Sequence, residues 1–61
     1  MITADAKKAI RNYLCQISPE DQDDLLNCDD FRYDEALEFQ SEYGGDTYDI
    51  DRFIYDRLME T

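Results

Sequence analysis

Sixty-one residues with sixteen acids against six bases, a net charge of -10, leave room for one domain only and disfavour direct binding to nucleic-acid phosphates. The absence of His rules out imidazole catalysis and imidazole metal ligation, and Cys15 and Cys28 allow at most one bridge. No stretch approaches the ~20 apolar residues of a membrane span.

Charge is unevenly spread. Residues 1–17 set Asp5 against Lys7, Lys8 and Arg11, while residues 18–61 set fifteen acids against Arg32, Arg52 and Arg57. An acidic chain of this kind can be disordered. Five Tyr, three Phe and Leu and Ile at helical spacing argue for a fold. The region from Met1 to Ile17 carries its basic residues inside an amphipathic pattern, with no apolar run like that of a signal peptide. The expected compartment is the cytoplasm, where thiols stay reduced; the two cysteines then serve as small apolar fillers.

Thr3 is placed to cap a first helix over about residues 4–17, with Asp5 in its first turn. Ala6, Ala9, Ile10, Tyr13, Leu14 and Ile17 follow a 3-4-3-4 pattern and predict its core face. Ser18-Pro19-Glu20-Asp21 predicts a new helix start, with Ser as cap, Pro at the first helical position and acids in the first turn. That short helix runs to about Asn27 with Leu25 and Leu26 inward. Asn27 to Asp30 reads as a turn, and Phe31 as its anchor to the core.

A third helix is expected over Tyr33 to Tyr43. At about 100° per residue, Tyr33, Ala36, Leu37, Phe39 and Tyr43 share one arc of roughly 160° and are expected in the core. Asp34, Glu35, Glu38 and Glu42 share the opposite arc. Gly44-Gly45 ends the helix, and Asp46, Thr47 or Asp49 can cap the next. The last helix runs from about Tyr48 or Asp49 to Met59, with Ile50, Phe53, Ile54 and Leu58 inward. Tyr48, Tyr55 and Met59 make a second, weaker apolar face. No run alternates as a strand would. The expected fold is all-α, a small bundle of three to four short helices forming one acidic domain over residues 1–61.

Paired carboxylates can do acid–base chemistry, but only in a concave site that holds them in unlike environments. The acids here fall at expected exposed positions, so no catalytic residue, no cofactor and no metal site is expected. Asp46, Asp49 and Asp51 follow the two glycines instead of surrounding one, as a calcium loop would require. The carboxylate array itself is the remaining feature. Residues i and i+4 on a helix are separated by about 6 Å of rise. Such a row presents negative charge broadly as a nucleic-acid strand does, and can occupy the Lys and Arg groove of a nucleic-acid-binding protein.

In size, charge layout over residues 20–60 and lack of catalytic apparatus, the chain resembles the small phage- or plasmid-encoded DNA-mimic inhibitors, including some anti-CRISPR and anti-restriction proteins. The resemblance implies a non-enzymatic module that binds a protein with a basic surface, and neither nucleic acid nor membrane directly. The residues expected to meet the partner are Asp34, Glu35, Glu38 and Glu42, extended by Asp21, Asp23 and Asp24. The alternative is a small helical homodimeric adaptor with a merely solvated acidic surface, joined through Tyr48, Tyr55 and Met59. A chain of this length buries only about 60% of its unfolded surface, which gives a partner subunit a stabilising role.

Overall fold

The computed structural model describes residues 2–60 and is 85% helical, with four helices and, among the described residues, no strand. The helices are α1 (Ala4–Gln16), α2 (Pro19–Asn27), α3 (Asp29–Tyr43) and α4 (Thr47–Met59). No helix among the described residues is long and apolar enough to cross a membrane.

Local chemistry sets the helix ends. The Thr3 hydroxyl accepts from the Ala6 N–H at 3.1 Å, and the Ser18 hydroxyl from the Asp21 N–H at 3.2 Å. Ser18 is extended, which suits both a cap and the residue before Pro19. The Gln22 side chain donates to the Leu14 carbonyl at 2.8 Å, satisfying an acceptor of the last turn of α1 and tying α2 to it. Gly44 closes α3 at φ 80°, a conformation that costs a residue with a Cβ strain. Asp46 then caps α4 through the Tyr48 N–H at 2.9 Å.

The core draws on all four helices: Ile10 and Leu14, Leu25, Ala36, and Ile50, Ile54 and Leu58. Phe31, Phe39 and Phe53 pack at its edge. Tyr13 meets Phe39 edge to face at 5.6 Å, and Phe39 stacks on Tyr43 at 6.4 Å. The most extensive helix contact is between α3 and α4, joined through residues 44–46.

Three expectations are corrected. The helix expected over Tyr33 to Tyr43 begins four residues earlier, at Asp29, so Cys28 alone separates it from α2. Asp29 and Asp30 lie in its first turn, where they favour the positive end of the helix, instead of forming a turn of their own. Second, α3 is rotated about its axis. Tyr33 and Leu37, expected inside, are exposed, while Arg32 and Ala36 are buried. Helical geometry accounts for this: with Ala36, Phe39 and Tyr43 turned in, Arg32 falls on the wheel between Phe39 and Tyr43. Third, Cys15 and Cys28 are both exposed free thiols and fill no core space.

Candidate functional site

Two sides of α3 handle charge in opposite ways. On the inner side, the Arg32 side chain is only 8% exposed. Its Nε donates to Asp51 Oδ1 at 2.9 Å and its Nη2 to Asp29 Oδ1 at 2.7 Å. Its Nη1 donates to the carbonyls of Leu25 and Leu26, at 3.0 and 3.2 Å. Those carbonyls belong to the last turn of α2, which carries partial negative charge and unmet acceptors. The guanidinium also lies 5.0 Å from the centroid of the Tyr55 ring. One side chain thus ties α2, α3 and α4 together. Burial opposes its charge, but the Asp29 and Asp51 carboxylates outweigh burial and raise its pKa further. No buried side-chain nitrogen or oxygen among the described residues lacks a partner.

On the outer side, Asp34, Glu38 and Glu42 are exposed. Asp21, Asp23 and Asp24 on α2 are exposed too. Among the described residues none of these six makes an ion pair. Glu35, expected among the exposed acids, is half-buried and turned toward α1, where it meets Tyr13. Burial first, and repulsion by Glu38 next, push its pKa up, against the Tyr13 hydroxyl that steadies its charge. Tyr13 in turn is pushed up to about 12, by burial and then by Glu35, with Asp21 and Glu38 adding to the effect. Asp21, Glu35 and Glu38 therefore converge electrostatically on one phenol. Asp21 of α2 acts on the same phenol as the α3 acids; Asp23 and Asp24 do not.

The expected self-association residues lie on the surface of α4. Tyr48 is 77% exposed and Met59 59%, while Tyr55 is less open because Arg32 lies under its ring. Tyr33 and Leu37 add two exposed apolar side chains on α3. Tyr33 and Tyr48 share the lining of one cavity, and Tyr48 and Tyr55 that of the next. Composition and local spacing give Arg32 and Asp51 no role. The available signal was the wheel position of Arg32, visible only once the helix is extended back to Asp29. Among the described residues, no group of three or more Cys, Asp or Glu side chains is arranged to hold a metal ion.

No protein-family model, no curated protein and no solved structure matches the chain.

Proposed function

We propose that the protein is a non-enzymatic, cytoplasmic binding module whose α2–α3 acidic surface occupies a basic, nucleic-acid-binding surface on another protein. The observation that carries this reading is the exposed row Asp34, Glu38 and Glu42, none of which makes an ion pair among the described residues. A fold-stabilising role would pair these carboxylates with bases, as Arg32 is paired. Instead they repel one another at i,i+4, which costs the helix a few tenths of a kcal/mol per pair. Rows of like charge steer a protein toward the opposite sign and raise its association rate.

The test compares wild type with the Glu38→Gln/Glu42→Gln variant, each immobilised and exposed to bacterial lysate at low and high salt. The expected result is a DNA- or RNA-binding protein held by wild type, released by double-stranded DNA or salt, and held less by the variant. Equal retention by both, unaffected by DNA, would defeat the mimic reading. A second reading, the homodimeric adaptor, is favoured by the exposure of Tyr48 and Met59. Sedimentation at micromolar concentration separates it: a dimer abolished by Tyr48→Ala supports the adaptor, and a monomer at all concentrations removes it.

A further inference from the structure

We infer that the groove along the α3–α4 seam, above Arg32, receives an arginine side chain from a protein partner. This goes beyond the proposed function by adding a second contact for a basic partner, and rests on that reading. Two adjoining cavities, of about 320 and 290 Å³, share Arg32, Tyr48 and Asp51 in their linings. Each lies at the lower end of ligand-pocket sizes, a volume suited to a side chain. Tyr33 and Tyr48 border the first and Tyr48 and Tyr55 the second, so Tyr48 stands between them.

Charge selects the occupant. Asp29, Asp30 and Asp51 line the first cavity against Arg32 alone, an acidic excess, whereas Asp51 and Asp56 balance Arg32 and Arg52 in the second. Arg32 is buried and already holds four acceptors, so it is not available to an anion. Asp29 and Asp51 each give Oδ1 to Arg32. The Asp29 side chain is nevertheless 89% exposed, which leaves its second oxygen open to an incoming donor. A carboxylate can accept two donors at once, and the flat guanidinium matches both the carboxylate fork and the face of a tyrosine. Arg32 against Asp51 and Tyr55 shows the same pairing inside the protein. A second copy of the chain is the weaker occupant: it brings a net charge of -10 to a surface already rich in carboxylates.

The test uses nuclear magnetic resonance on the full chain with three capped peptides, Gly-Gly-Arg-Gly-Gly and its Lys and citrulline counterparts. Citrulline keeps the shape of arginine and removes its charge. The arginine peptide is expected to move the ring signals of Tyr33 and Tyr48 and the amide of Asp51, the lysine peptide to move them less, and the citrulline peptide not at all. Tyr48→Ala should weaken arginine-peptide binding about three-fold, within the range of an exposed cation–π contact, and Tyr48→Phe should restore it. Tyr48 is largely exposed, so the variant keeps the fold, which a thermal melt verifies. If the peptide moves Asp34, Glu38 and Glu42 while the tyrosine rings stay still, the groove is overturned and the acidic-surface reading stands. If neither region responds, both are overturned. Ring shifts that grow with protein concentration and ignore the peptide would assign the groove to a second copy.

Discussion

The two sides of α3 differ in what their charges have been given. Arg32, inside, has two carboxylates, two carbonyls and an aromatic ring. Asp34, Glu38 and Glu42, outside, have no ion-pair partner among the described residues. A charge taken out of water must be saturated or it unfolds the protein, so partners gather round it. A charge left in water needs none, and can be kept or removed with little effect on the fold. The inner charge therefore reports on architecture. The outer charges are free to serve something outside the molecule.

Removing Arg32 is the strongest way to break this contrast. Arg32→Met strands Asp51 and the carbonyls of Leu25 and Leu26, and should cost about 3 kcal/mol, within the range for one partner lost from a buried pair. In so small a domain that is a large share of total stability. Denaturant titration should show most of the stability gone; a loss under about 1 kcal/mol would mean the site tolerates hydrophobic replacement, as some buried ion pairs do. Arg32→Lys should rescue little, since an ammonium cannot reach acceptors arranged around a planar fork.

The two carboxylates on Arg32 differ in burial. Asp51 is 20% exposed at its side chain and Asp29 89%. Asp51→Asn should destabilise by about 1.5 kcal/mol, typical of a charge-assisted hydrogen bond. Asp29→Asn should cost about 0.5 kcal/mol or less, because solvent screens the exposed partner. Equal losses in thermal melts would show that burial does not rank these bonds.

On the outer side the sign reverses. Glu38→Gln/Glu42→Gln should stabilise by a few tenths of a kcal/mol, through relief of i,i+4 repulsion. It should also slow association with a basic protein in stopped-flow measurements, and the deficit should shrink as salt rises. A destabilised variant would mean these carboxylates make contacts within the fold.

The Glu35–Tyr13 contact ties stability to pH. The folded protein holds the Glu35 proton more tightly than the unfolded chain does. Stability should therefore rise as pH falls through the carboxylate range, and Glu35→Gln should flatten that rise. Tyr13 acts at the other extreme. The unfolded phenol loses its proton near 10, the folded one at about 12, so stability should fall across that interval. A melting temperature flat between pH 10 and 12 would show that Tyr13 ionises alike in both states.

Much of the fold was legible in the residues. Thr3, Ser18-Pro19 and Gly44 announce their helix ends, and the Ile and Leu spacings in α1 and α4 announce the faces that are found buried. The rotation of α3 was not legible, because counting apolar residues puts Tyr33 and Leu37 inside and any arginine outside. Arg32 is buried only because Asp29, Asp51 and the end of α2 meet there, and Asp51 lies nineteen residues away. Nothing in local spacing reports a partner at that separation. The candidate site divides in the same way. The exposed row Asp34, Glu38 and Glu42 follows from the wheel, whereas the inward turn of Glu35 requires α1 beside α3. The groove tyrosines depend on how α3 and α4 meet.

The partners of Arg32 also predict an order of events in the folding chain. The Leu25 and Leu26 carbonyls are seven and six residues back, a short loop that closes quickly. Asp51 and Tyr55 stand beyond the Gly44-Gly45 break, and meeting them closes a longer loop, so α4 is expected to dock later. The corner between α2 and α3 should therefore be formed in the folding transition state and the seam with α4 only partly. Perturbing α2 at Leu26 should then slow refolding, while Asp51→Asn should mainly hasten unfolding. By that arrangement one guanidinium is first the stop of a short helix and only afterwards the clasp of the whole domain.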